Sequence, residues 1–351
     1  MAATFVEYDT VEKVTQLLGP DKEFETYVKE NTVQLPPLED VVGLRMMRNQ
    51  MEEWMNDRYV SVTRKVTVRD GYETEMRIFQ PEKRPGTASP LVVLIHAGGF
   101  AMGTTNQMSP FGQGVSSLYG ATAVCITHRL APEHKFPTAP QDIWDQIKWL
   151  SINASSLGAD PKAGFIIGGV SSGANLAAVT AQRSVAEGLS PPLTGAWMCM
   201  PCVLDKSIVP PEYREVFVSR EQCANATLVD ADNLYKVILT SNPDIHSKDW
   251  SPFNWEKPHT GMPPCYLQVS GADPMRDDGL IYERVLRKAG VKTRLDVYPG
   301  VPHWHFGFFP TLSASRKANA DAVIGIGWLL ADGTARTEDD VLAAMAAPMW
   351  T

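Results

Sequence analysis

Cysteine is scarce in this chain: five residues in 351, an odd number at irregular spacing. That excludes a disulfide framework, which needs paired thiols at dense, regular positions. Basic charge is in deficit. Thirty-two Lys and Arg face 40 Asp and Glu, a formal charge of −8 with no local basic patch, so nucleic acid is excluded as a partner. Long hydrophobic runs are missing too. The longest, Ala322 to Ala331, has ten residues where a membrane span needs about 20. The first residues, MAATFVEYDTVEK, carry acids where a secretory leader carries basic and then apolar residues. The last, AAPMWT, match no retention, peroxisomal or prenylation signal. The sequence therefore predicts a cytoplasmic protein with no membrane span.

Gly and Pro, 26 each, are too few for a collagen, and 44% hydrophobic with 21% charged residues is not a disordered composition. No G-x-G-x-x-G follows the first strand, and GVSSGAN lacks the lysine of a phosphate loop, so no nucleotide cofactor is expected. His303-Trp304-His305 has no third ligand at a recognisable spacing, so no metal is expected either. Cys199 and Cys202 (C-M-P-C) close an apolar run and read as buried structural thiols, not a redox pair. The glycosylation-like triplets at Asn153 and Asn225 read as chance matches.

What is present is alternation. Residues 1–56 read as helical, with Leu44, Met47, Met51, Trp54 and Met55 at the spacing of one buried face. From Tyr59 short β-rich runs begin: VSVTRKVTV, ETEMRIF, LVVLIH, ATAVCIT, GFIIGG, GAWMCM, CYLQVSG and TRLDVYP. The five from LVVLIH to CYLQVSG are largely apolar, as strands covered on both faces are. Helical patterns fall between them at Ala139–Leu150, Ser172–Glu187, Gly279–Lys288 and Leu312–Leu330. This is an α/β protein with a mostly parallel central sheet and helices on both faces. Residues 203–262 break the pattern and read as an insertion, so the catalytic core is 57–202 plus 263–351.

Chemistry concentrates at Gly169-Val170-Ser171-Ser172-Gly173. This G-x-S-x-G follows an apolar strand and opens an Ala-rich helix, the context of a nucleophile elbow. A serine needs a base, and the base an orienting acid. Asp273 stands just past CYLQVSGA and His303 just past TRLDVYPGVP, each in a loop leaving a strand. Asp277 and Asp278 instead read as caps of the following helix. Gly98 and Gly99, in HAGGF after the strand LVVLI, supply N–H groups for an oxyanion hole, completed by the N–H of Ser172. His96 reads as structural, its imidazole holding that loop. Phe100 and Trp304 read as walls of the substrate pocket.

HAGGF (96–100), HRLAPEHKFPTAPQD (128–142), GGVSSGANLAA (168–178), DPMRDDG (273–279) and PGVPHWHFGFF (299–309) together resemble the hormone-sensitive-lipase-like esterases of the α/β-hydrolase fold. The likeness runs from about residue 60 to 330. It implies a helical cap made of residues 1–56 and 203–262, an acyl pocket beneath it, and carboxylic-ester hydrolysis with no cofactor. Its G-x-x-H pattern selects His303 over His305 as base, and Pro302 stiffens the approach to that histidine. The sequence departs at Ala97, at Val170-Ser171-Ser172 in place of Asp-Ser-Ala, and at Trp304-His305 in place of Gly-Phe.

The reading is a serine hydrolase acting on a small-molecule ester of short to medium acyl chain. Two others compete. The same triad serves an acyltransferase or an enzyme that forms or opens lactones, because acceptor choice depends on pocket shape and water access. Plant gibberellin receptors look like this family yet only bind a ligand; they have lost the histidine that this chain keeps. A homodimer is compatible with all three.

Overall fold

A computed structural model describes residues 7–31, 40–56, 58–82, 89–227 and 229–346. Eight strands form one sheet: β1 (Val62–Thr67), β2 (Glu73–Phe79), β3 (Leu91–Ile95), β4 (Thr122–Ile126), β5 (Phe165–Val170), β6 (Gly195–Cys199), β7 (Cys265–Ser270) and β8 (Thr293–Tyr298). All eight fall where hydrophobic patterning places them. Their order is β1-β2-β4-β3-β5-β6-β7-β8. β2 runs antiparallel to both β1 and β4, and every pairing from β4 through β8 is parallel.

The helices are α1 (Val11–Gln16), α2 (Lys22–Glu30), α3 (Val41–Asn56), α4 (Ser109–Tyr119), α5 (Thr138–Asn153), α6 (Ser172–Ala186), α7 (Ser219–Gln222), α8 (Ala231–Leu239), α9 (Arg276–Lys288), α10 (His305–Phe308), α11 (Ser313–Leu329) and α12 (Glu338–Met345). Successive strand residues point to opposite faces, so β3 feeds two cores. Leu91, Val93 and Ile95 pack with α5 and α6 residues such as Ile143 and Leu176. Val92 and Leu94 pack with Phe111 and Val115 of α4 and Val323 and Ile326 of α11. Each such aliphatic side chain, fully buried, contributes about 1.5–3 kcal/mol. The chain passes from β3 to β4 on one side and then crosses to β5 on the other, which opens a crevice at the carboxyl ends of the central strands.

Three segments cross that end of the sheet. α1 and α2 lie against β7, β8, α9 and the end of α10, through Val14 and Leu17 on Val269 and Leu280, and through Phe24 and Tyr27 on Phe309. α3 lies over the loop after β3: Val41 packs with Ala101, Ala131 and Val237, and Arg45 donates to Ala101 O at 2.7 Å and Ala131 O at 2.5 Å. Residues 203–262 carry α7 and α8, and Asn175 Nδ2 clamps them to α6 through Cys202 O (2.5 Å) and Trp250 O (2.8 Å). Among the described residues no helix is long and apolar enough to cross a membrane.

Two expectations need correction. The face of α3 that patterning buries is only partly so: Leu44 is half-buried and Met47 is exposed, because α3 meets the core through Val41 and its arginines. The side chains of Met51, Trp54 and Met55 lie outside the described residues. Asp277 and Asp278 do occupy the first turn of α9, but they do not cap it. Asp277 Oδ2 accepts from Val218 N and Ser219 N at 2.6 Å each. Asp278 Oδ1 accepts from Val203 N at 3.0 Å and Leu204 N at 2.9 Å, and its Oδ2 pairs with Arg220 at 2.8 Å. Both carboxylates fasten the insertion to the core.

Candidate active site

Ser171 sits between β5 and α6 at φ 57°, ψ −117°. A non-glycine residue rarely adopts this conformation, and the surroundings must enforce it. They do so by contact. A Cβ on Gly173 would stand 2.4 Å from Ile95 O and 2.5 Å from His96 O, so the helix starts flush against the end of β3. Ser171 N donates to Cys199 O at 2.8 Å, and its carbonyl accepts from Asn175 N at 3.0 Å. The turn is fixed on both sides, and Ser171 Oγ lies at the amino end of α6.

His303 Nε2 lies 3.0 Å from Ser171 Oγ. His303 Nδ1 lies 2.7 Å from Asp273 Oδ2. Asp273 Oδ1 accepts from Met275 N at 2.7 Å, which leaves the other oxygen for the imidazole. The three come from three separate loops, after β5, β7 and β8, and all three are buried. Beyond the sheet the acid and base loops remain zipped, with Gly271 N to Tyr298 O at 2.7 Å and Ala272 N to Val301 O at 3.1 Å.

Gly98, at φ 135°, and Gly99, at φ 60°, carry the chain past the end of β3. A Cβ on Gly98 would stand 2.1 Å from Met102 O, and one on Gly99 2.3 Å from Val237 Cγ1. Only glycine fits either place. Among the described residues the N–H groups of Gly98, Gly99 and Ser172 have no protein acceptor, the last because the first residue of a helix has no intrahelical partner.

His96 holds this loop. Its Nδ1 lies 3.0 Å from Ala97 O and its Nε2 2.9 Å from Thr127 Oγ1, and its ring stacks on His128 at 4.9 Å. Burial, reinforced by His128, pushes its pKa down to about 3, so it is neutral. Ala97 N donates to Gln107 Oε1 at 2.5 Å. Thr127, Gln107 and Arg45 are loop supports that the sequence gives no sign of, because none lies in a recognisable motif; His128 opens the HRLAPEHKFPTAPQD segment, but its stacking on His96 does not show there.

His305 is not near Ser171 Oγ in bonding terms. Its Nδ1 meets Ser270 Oγ at 3.1 Å and Pro302 O at 3.3 Å, and burial pushes its pKa down to about 4. Phe100 is buried, its ring 5.6 Å from Trp250. Trp304, half-buried at φ 53°, packs on Phe308 at 5.0 Å beneath the Arg48 guanidinium at 4.6 Å. All five cysteines are free and buried, and burial pushes their thiols up, out of reach of redox or nucleophilic chemistry.

Residues 92–307 match the family described as alpha/beta hydrolase fold. An AB hydrolase superfamily protein of Schizosaccharomyces pombe is 31% identical over 94% of this chain and 98% of its own. The versiconal hemiacetal acetate esterase of Dothistroma septosporum is 27% identical over 74% of this chain and 79% of its own. Among solved structures, a vibralactone cyclase superposes with a TM-score of 0.82 at 29% identity, covering 94% of this chain and 99% of that one.

Proposed function

This chain belongs to the α/β-hydrolase-fold family, in its hormone-sensitive-lipase-like branch, and from that premise we propose how it cleaves a carboxylic ester. Ser171 attacks the ester carbonyl while His303 takes its proton at Nε2. Asp273 keeps the proton of the other ring nitrogen in place and stabilises the imidazolium. The N–H groups of Gly98, Gly99 and Ser172 receive the oxyanion. His303 then protonates the departing alcohol, and water releases the acid by the reverse path. The observation that carries this reading is the unbroken run from Ser171 Oγ through His303 to Asp273, at 3.0 and 2.7 Å.

The esters are of short to medium acyl chain. Phe100 and Trp304 form the pocket walls, and the helices of residues 1–56 with residues 203–262 form the cap; the support is the packing of Phe100, Trp304 and α3 on the loops of Gly98 and His303. The cytoplasm, a reducing compartment, suits five free thiols. The test is labelling by a fluorophosphonate together with hydrolysis of p-nitrophenyl butyrate. Both succeed on the wild-type protein and fail on Ser171→Ala.

A second reading has its own support, the superposition on a vibralactone cyclase. In it the acyl-enzyme on Ser171 is resolved by a hydroxyl of the same acyl group, giving a lactone. Product analysis on hydroxy-acid esters, with and without added alcohol, separates the two: free acid marks hydrolysis, and cyclic ester marks closure.

A further inference from the structure

The acid and base loops rest on the N-terminal helix pair. Leu17 O, in the turn after α1, accepts from Gly300 N at 2.9 Å. The fit allows no side chain: a Cβ on Gly271 would stand 2.1 Å from Leu17 O, and one on Gly300 would stand 2.4 Å from both Gly19 O and Asp21 N. A polar chain runs parallel to this contact. Arg276, fully buried, donates to Gly271 O at 3.4 Å, to Asp277 Oδ1 at 2.8 Å and to Gln222 Oε1 at 2.7 Å. Gln222 Nε2 in turn donates to Thr15 Oγ1 at 2.7 Å. Thr15 therefore reaches the carbonyl two residues before Asp273 through two side chains.

The nucleophile has no such dependence. The Ser171 turn is held by Cys199 O and Asn175 N, inside the sheet and α6. α1 and its turn thus touch one half of the triad and not the other. Displacing a reacting group by about 1 Å costs on the order of 10²-fold in rate, so a brace on these two loops bears directly on turnover.

We propose that Thr15 and Gln222 are positioning residues: with Leu17 O they make the α1–α2 pair a brace that sets Asp273 against His303. This rests on the assignment of those two residues to acid and base. Thr15→Val and Gln222→Leu each lower kcat on p-nitrophenyl butyrate about three- to tenfold and leave KM within twofold. Gln222→Glu keeps the acceptor for Arg276, and the Thr15 hydroxyl, which donates to Val11 O at 2.6 Å in the wild type, turns to its second oxygen; the variant recovers at least half of the wild-type kcat. Because the brace acts through Asp273, Gln222→Leu adds no further loss in an Asp273→Asn background.

Amide hydrogen exchange gives a readout that does not need turnover. Gln222→Leu speeds exchange in residues 271–275 and 299–304 and leaves 169–173 unchanged. Unchanged kcat, a loss fully additive with Asp273→Asn, or exchange that rises uniformly overturns the brace. A wild-type protein that neither turns over nor labels overturns the esterase reading instead, and the exchange pattern still decides the brace.

Discussion

Gly169 and Gly173 close on each other: a Cβ on Gly169 would stand 2.5 Å from both the carbonyl carbon and oxygen of Gly173. The backbone doubles back around Ser171 at a separation that leaves no room for a side chain at position 169, while position 173 is kept free of one by the end of β3. Ser171→Ala removes one oxygen from this turn, and with it the bond to His303 Nε2, but leaves the backbone contacts of the turn unchanged. Turnover of p-nitrophenyl butyrate falls by at least about 10³-fold while the melting temperature stays near the wild-type value. Hydrolysis within tenfold of wild type would show another nucleophile.

The oxyanion loop tests separately. Gly98→Ala forces a Cβ into Met102 O, 2.1 Å away, at a φ of 135°. Its two available N–H groups lose their common aim, and kcat falls on the order of 10²–10³-fold. An alanine variant with ordinary kcat would remove Gly98 from the oxyanion site.

The three carboxylates after β7 separate by readout. Asp273→Asn costs orders of magnitude in turnover with little change in stability, as an amide does not support an imidazolium. Asp277→Asn and Asp278→Asn act on stability, lowering it by about 1–3 kcal/mol each, because each leaves buried N–H groups of the insertion poorly paired. Urea unfolding beside steady-state kinetics reads both, and the reverse ranking would move the acid.

His303→Ala is nearly inactive at pH 8. His305→Ala keeps most of its turnover but unfolds earlier, since it empties a buried site beside Ser270. An inactive His305 variant beside an active His303 variant would shift the base by two residues.

His96 and His305 predict an acid limit. Their folded pKa values, pushed by burial to about 3 and about 4, lie below the ordinary 6.5. Between those values the unfolded chain holds protons that the folded one does not. The stability they confer is therefore complete above pH 6.5 and is lost as pH falls toward 4 and then 3, by about 1.4 kcal/mol per pH unit for each histidine. Urea midpoints at pH 7.5, 6.0 and 5.0 decline in that order; a flat series contradicts the burial of the two rings as neutral groups.

Most of the frame was legible because the five strands β3 to β7 are buried on both faces and are largely apolar runs bounded by Gly and Pro. Helix α4 was not, since SPFGQGVSSLY has glycine and serine where periodicity would show. α8 lay unseen in the insertion for a different reason: nine residues between turns are too few to stand out. Ser171, Asp273 and His303 could be picked out because each follows a strand directly. The bonds made by Asp277 and Asp278 could not, because their partners are backbone groups 58 to 75 residues away.

That tether has an evolutionary side. The carboxylates of Asp277 and Asp278 belong to a core helix, and apart from the Arg220 guanidinium what they grip in the insertion is peptide N–H, which every residue except proline supplies. Most side chains along 203–262, Ser219 and Arg220 excepted, are thereby free to drift while the segment stays fastened beside the Asp273 loop. With residues 203–262 as the proposed cap, a lineage can change what this enzyme admits without renegotiating how that segment is attached.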